Sequence, residues 1–169
     1  MENLEKLNNL SKEEAKSELL KCCGSEKWSE KVAEGRPYSS KELLFNYSDK
    51  VWSEASNEDI FEAFSHHPKI GDLESLTKKF SSTKDWASGE QSGVNVATQE
   101  VLQALATGNL AYEEKFGYIF IVCATGKSAS EMFSILQERL KNEPETEIKV
   151  AANEQNKITH IRLEKLLNS

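Results

Sequence analysis

The sequence predicts an all-α fold, a single-domain helical bundle spanning 1–169. Three observations predict it. Serine-led capping signals open one segment after another in the N-terminal half. Apolar residues recur at spacings of three and four through most of the chain, the period of a helix with one buried face. A single continuous apolar run, Ile119 to Ala124, departs from that period.

The first such signal is Ser11-Lys12-Glu13-Glu14, a capping box in which Ser11 accepts from the third helical amide while Glu14 reaches back. Ala15, Leu19 and Cys22 follow at helical spacing, with Gly24 expected as a left-handed stop. Trp28 and Val32 mark a second short helix before Arg36-Pro37. Ser39-Ser40-Lys41-Glu42 opens a third, with Leu44, Tyr47 and Val51 on one face. Ser56-Asn57-Glu58-Asp59 caps a fourth, whose stripe runs Ile60, Phe64, His67 and is ended by Pro68. From Ala87 a long pattern passes through Val94, Ala97, Val101 and Leu105, and Gly108-Asn109 is expected to break it before a short helix carrying Tyr112 and Phe116. The run 119–124 suits a buried extended segment better than a helix, although periodicity alone does not decide between them. Ser128 to Lys141 is amphipathic, stopped by Asn142-Glu143-Pro144, and a last helix covers about Glu145 to Leu167.

Composition narrows the function classes. A chain of 169 residues can bury roughly 70% of its unfolded surface in one core. The net charge of −7 argues against a nucleic-acid backbone binder, which needs clustered Lys and Arg. No apolar run approaches the roughly 20 residues of a membrane span. The polar, acidic start has no secretory h-region, and the final Lys-Leu-Leu-Asn-Ser is not a peroxisomal address, so a cytoplasmic protein is expected. Cys22, Cys23 and Cys123 are odd in number with two adjacent, which fits buried reduced thiols rather than a disulfide framework or a zinc site.

Three polar residues fall where the helical pattern calls for apolar ones. His67 continues the stripe of Ile60 and Phe64. Glu90 lies four before Val94 and seven before Ala97. Arg162 lies four after Ile158 and four before Leu166, at the expected centre of the last helix's apolar face. Buried charge costs several kcal/mol, roughly, unless it is paired. Each could be a satisfied core residue alone, a helix-start carboxylate in the case of Glu90, and spacing does not bring them together. Two other motifs fail. Gly126-Lys127-Ser128 resembles the end of a P-loop, but the required first glycine falls at Ile121, which removes the phosphate cradle. His66 and His67 are adjacent and point about 100° apart on a helix, and no His-Glu-x-x-His spacing exists, so no metal site is expected.

His67-Pro68-Lys69-Ile70-Gly71-Asp72 resembles the His-Pro-[Arg/Lys]-Ile-Gly-Asp signature of the 2-oxo-4-hydroxy-4-carboxy-5-ureidoimidazoline (OHCU) decarboxylases. Further segments are similar in the same order. They are Glu90-Gln91 followed by Gly93, Asn109 with Tyr112, the run from Phe116 to Ser128, and the stretch from Glu138 to Leu166 with its Arg-Leu-x-Asn and Arg-Leu elements. Each motif is weak alone, whereas the ordered set is specific and covers roughly Ser11 to Leu167. Ala87 departs from the serine often found there, with Ser88 beside it.

The resemblance implies an all-α, cofactor-independent and usually dimeric enzyme of urate catabolism that turns OHCU into (S)-allantoin and carbon dioxide. It places the catalytic residues at His67, Glu90 and Arg162. It places substrate contacts at Pro68, Gln91, Phe120, Ile121, Val122, Cys123 and Ala124. His66 is expected to be a solvated bystander. The competing readings are a helical interaction module without catalysis, and a related decarboxylase or hydrolase acting on another ureido-ring compound.

Overall fold

A computed structural model of the chain describes residues 2–67 and 92–168. Among them the only regular elements are eight helices, as an all-α class requires: α1 (Glu2–Asn9), α2 (Lys12–Leu20), α3 (Glu26–Glu34), α4 (Lys41–Ser53), α5 (Asn57–Ser65), α6 (Ser92–Phe116), α7 (Ala129–Leu140) and α8 (Pro144–Asn168). No described helix is long and apolar enough to cross a membrane. The chain divides into two compact units, one formed by 1–67 with 152–169 and the other by 68–151.

Serines start the helices, Ser40 and Ser56 as expected and Ser25 and Ser128 in addition. Ser25, Ser40, Ser56 and Ser128 each accept a hydrogen bond from the amide three residues on, satisfying one of the orphan donors of a first turn. Ser56 and Asp59 form a reciprocal capping box. At α2 the box is incomplete. Ser11 accepts from the Glu14 amide at 3.1 Å, but the Glu14 carboxylate takes the Ser11 hydroxyl at 3.0 Å.

The core of the first unit is built on Trp28, Leu19, Val32, Leu44 and Leu163, all essentially inaccessible. Burying each such side chain stabilises the fold by about 1.5–3 kcal/mol. The indole N–H groups are satisfied, Trp28 by the Ser48 carbonyl at 3.3 Å and Trp52 by the Ala152 carbonyl at 3.0 Å. Helix α1 has no counterpart in the sequence reading, because its polar residues mask a short apolar edge. Leu4 and Leu7 are buried, and Arg36 ties the helix down by donating to the carbonyls of Leu7 (2.8 Å) and Leu10 (2.7 Å).

Two glycine expectations are corrected. Gly24 is not a left-handed stop, since the positive-φ residues among those described are Gly117 and Gly126. Its lack of a side chain serves a close approach instead: a Cβ there would stand 2.5 Å from the His66 Cβ and 2.6 Å from its Cγ. Gly108-Asn109 does not break the long helix, which continues through Tyr112 to Phe116. Gly108 lies where α6 meets α7, and a Cβ would fall 2.5 Å from the Leu136 Cδ2. A glycine costs a helix interior about 1 kcal/mol, which close packing against Leu136 offsets. The true stop is Gly117, at φ +85°, whose amide donates to the Glu113 carbonyl at 2.8 Å.

The second unit packs α6 on α7 around Leu102, Leu105, Tyr112, Met132 and Leu136. Residues 119–124 are neither helix nor strand. Ile121 and Cys123 are buried while Phe120, Val122 and Ala124 are half-buried, an alternation expected of a short extended segment with one inward face. A turn follows it, closed by the Lys127 amide on the Ala124 carbonyl at 3.0 Å with Gly126 at φ +76°, the position that demands glycine in a type II turn.

Candidate active site

Helix α5 ends at Ser65, and His66 is its cap. His67 therefore lies just past the helix rather than on its stripe, in a turn held by its own amide on the Phe64 carbonyl at 3.3 Å. Pro68, Glu90 and Gln91 lie outside the described residues. His66 is exposed, with its Cβ and ring edge against Gly24. His67 is half-buried, and its Nε2 meets the Oε1 of Gln155 in a short hydrogen bond. Gln155 in turn donates through Nε2 to the Thr159 Oγ1 at 3.1 Å.

Burial holds the His67 pKa below the ordinary 6.5. The positive charge of Arg162 and neighbouring His66 push the same way, and the Gln155 hydrogen bond opposes them. The imidazole is thus mostly neutral at neutral pH. Arg162 also acts electrostatically on Cys22 and Cys23. Burial dominates at both thiols, raising Cys22 to about 12 and Cys23 to about 11. They are therefore protonated rather than nucleophilic. All three cysteines are buried and outside any disulfide.

The position of Arg162 on α8 corrects the sequence reading. The buried stripe of this unit is Gln155, Thr159, Leu163 and Leu167, while Ile158, Arg162 and Leu166 are half-buried beside it. The two sets share a four-residue spacing and differ by one residue, about 100° around the helix. Arg162 lies on the flank, where its stem can be covered while the guanidinium keeps access to polar groups. It makes no ion pair with a described residue. Gln155 and Thr159 are the functional candidates that the sequence reading missed. An amide and a hydroxyl at helical spacing look like solvated residues, and only the spacing to Leu163 and Leu167 could have signalled otherwise.

The expected contact segment 120–124 belongs to the second unit, and its backbone is fixed from within. Arg139 donates through Nη1 to the Ile121 carbonyl at 2.5 Å, and Lys127 donates to the Cys123 carbonyl at 2.7 Å. The Arg139 guanidinium also lies 4.7 Å from the Phe120 ring centroid. It is anchored by Glu147, whose Oε2 accepts from Arg139 Nε at 2.8 Å and whose Oε1 accepts from Asn142 at 3.0 Å. The Tyr112 hydroxyl donates to the same carboxylate. Among the described residues, no group of three or more His, Cys, Asp or Glu side chains is placed to hold a metal ion.

The family profile described as OHCU decarboxylase matches residues 8–164. The uric acid degradation bifunctional protein TTL of Arabidopsis thaliana is 35% identical over 147 residues, 87% of this chain and 45% of that protein. The uric acid degradation bifunctional protein of Bacillus sp. (strain TB-90) is 31% identical over 169 residues, 98% of this chain and 32% of that protein. The chain thus spans less than half the length of these two relatives. The 2-oxo-4-hydroxy-4-carboxy-5-ureidoimidazoline decarboxylase of Halalkalicoccus jeotgali is 29% identical, covering 82% of this chain and 73% of that one. A crystal structure of OHCU decarboxylase in the presence of (S)-allantoin superposes with a TM-score of 0.71 at 36% identity, covering 90% of this chain and 98% of that one. A crystal structure of (S)-allantoin synthase, 17% identical with a TM-score of 0.67, shares the fold. By its sequence across 8–164 and by its helical architecture, the chain belongs to the OHCU decarboxylase family.

Proposed function

We propose that this chain is a carboxy-lyase of urate catabolism that converts OHCU into (S)-allantoin and carbon dioxide without a cofactor. In this proposal a single domain over 1–169 acts as a cytoplasmic homodimer. The observation that carries the reading is a half-buried His67, held neutral at the end of α5 within electrostatic reach of Arg162, in a chain of this family.

The substrate carries a carboxylate and a hydroxyl on one ring carbon beside a C=N bond. When the bond to carbon dioxide breaks, its electron pair moves into the C=N, so the substrate supplies its own electron sink. The nitrogen of that C=N takes up a proton, the hydroxyl proton leaves as a carbonyl forms, and a further proton arrives at the ureido-bearing carbon on one face. The protein must hold the carboxylate out of the ring plane and manage those proton transfers. A neutral imidazole suits this work, because its lone pair can take the hydroxyl proton at neutral pH. His67 is the acid–base group in this scheme. Arg162 holds the anionic and carbonyl oxygens through a planar two-pronged donor. Glu90 binds ring or ureido N–H groups, with Pro68, Gln91 and the 120–124 segment completing the contacts.

The test is to supply freshly generated OHCU and follow the chirality of allantoin by circular dichroism. The reading expects accumulation of the (S) enantiomer faster than spontaneous decay. Racemic product at the uncatalysed rate removes it.

A further inference from the structure

We propose that Gln155, itself held by Thr159, is a positioning residue that fixes His67 in the tautomer carrying its proton on Nε2, leaving Nδ1 as the nitrogen that exchanges protons with substrate. The proposal rests on the reading of His67 as the acid–base group and adds what orients it.

The argument begins with burial. Gln155 is wholly inaccessible and Thr159 is 1% exposed, at two successive positions of a stripe that continues as Leu163 and Leu167. A core needs only apolar side chains there, and burying an amide without partners costs roughly 1–3 kcal/mol. The amide has partners at both ends. Its Nε2 donates to Thr159 Oγ1 at 3.1 Å, which directs Oε1 toward His67. An amide oxygen can only accept, so the imidazole nitrogen facing it must carry the proton. In a neutral ring the lone pair is then on Nδ1. Among the described residues, the charged or titratable groups that act on His67 are His66, next to it in the turn, and Arg162 from α8. Neither is a carboxylate. A neutral acceptor orients the ring while stabilising the imidazolium less than a carboxylate in the same place would.

The experiment is nitrogen NMR of the labelled imidazoles across a pH titration, with His67 assigned by its loss in His67→Ala. Wild type is compared with Gln155→Leu, Gln155→Glu and Thr159→Val, alongside stereospecific turnover. We expect wild-type His67 in the Nε2–H form. Gln155→Leu, an apolar change in an apolar setting, should give a tautomer mixture and lower kcat by roughly 10- to 100-fold, the scale of a misplaced catalytic group, with KM little changed. Thr159→Val should reproduce part of both effects. Gln155→Glu should restore a single Nε2–H tautomer and raise the His67 titration point by about one pH unit or more. A wild-type His67 protonated on Nδ1 overturns the proposal, as does a His67 signal unaltered in Gln155→Leu. Should the NMR results hold while wild type yields only racemic allantoin, the positioning pair stands and the decarboxylase reading falls.

Discussion

Arg139 and Glu147 form an ion pair sealed inside the second unit. The guanidinium Nε and Nη2 approach one carboxylate oxygen at 2.8 and 2.5 Å, and the side chains are only 6% and 0% exposed. Removing two charges from water costs several kcal/mol per ion, roughly, and mutual attraction repays it only when the remaining hydrogen bonds are also made. Here they are. Asn142 and Tyr112 complete the carboxylate, and the Ile121 carbonyl takes Nη1. The pair therefore joins α6, α7 and the start of α8 to the 119–124 segment.

Breaking this pair from one side should be costly. We expect Glu147→Gln or Arg139→Met to destabilise the protein by about 3–5 kcal/mol, because each strands a buried charge or donor. The double variant Arg139→Met with Glu147→Leu should recover much of that loss in stability. It should still turn over slowly, since nothing then holds the Ile121 carbonyl. Chemical denaturation beside turnover checks both. Single variants within about 0.5 kcal/mol of wild type, the range of inert surface changes, would show that the pair is not a support.

The adjacent histidines should separate cleanly. His67→Ala should lower kcat by roughly 10²-fold or more, the scale of an acid–base group, while His66→Ala stays within a few fold of wild type. Equal losses in steady-state turnover would dissolve the assignment. The contact of His66 with Gly24 makes the comparison fair, because the Cβ that Gly24 accommodates is retained in alanine.

How far these features were legible beforehand depends on how local they are. The serine caps and the stops around Pro144 are decided within four residues, and the structure bears them out. Gly24 and Gly108 were misread because their roles are set by His66 and Leu136, residues distant in the chain. Helix α1 was missed since Leu4 and Leu7 alone carry its buried edge. The offset of the α8 stripe has the same origin. Ile158 and Leu166 advertise an apolar face, but the fully buried one begins with Gln155 and Thr159, whose partners cannot be seen from spacing. His67 and Arg162 were expected on buried stripes, whereas they lie half-buried, just past α5 and on the flank of α8.

Stability should fall on both sides of neutrality, for different groups. His67 has a folded-state pKa below 6.5, so the unfolded chain binds the proton more readily. Its contribution is complete above about 6.5 and is lost as pH falls through the lowered value. Cys22 and Cys23 are raised from 9.0 to about 12 and about 11. Their contribution is complete below 9 and is lost as pH rises toward those values. Urea midpoints measured from pH 5 to 10.5 check both limbs. The acid limb should shrink in His67→Gln and the alkaline limb in Cys23→Ala; limbs unchanged in these variants would contradict the assignment.

Turnover should survive EDTA and exhaustive dialysis, because in the proposed reaction the substrate's C=N accepts the electron pair that a metal or pyridoxal would otherwise take. Activity lost on dialysis and restored by zinc or pyridoxal phosphate would refute that chemistry.

Arg162 offers the sharpest separation of function from support. It is half-buried on the flank of α8, beside a stripe completed by Leu163 and Leu167, so the core does not depend on it. Arg162→Met should therefore fold with a Tm at or above that of wild type, since apolar replacements of partly buried ions are often tolerated. Its activity should nearly vanish, because in the proposed site the substrate oxygens lose their charged donor. Arg162→Lys keeps the charge but replaces a rigid planar fork with a compact, strongly hydrated ammonium. It too should fold, and should lose most of its turnover. The two variants should differ at His67. Arg162 pushes that pKa down, so Met should let it rise toward 6.5, whereas Lys should hold it low. Thermal melting, stereospecific turnover and the His67 titration together decide the matter. If Arg162→Met unfolds while Arg162→Lys is fully active, Arg162 is a structural charge, and acid–base work must be assigned around His67 and Glu90 without it.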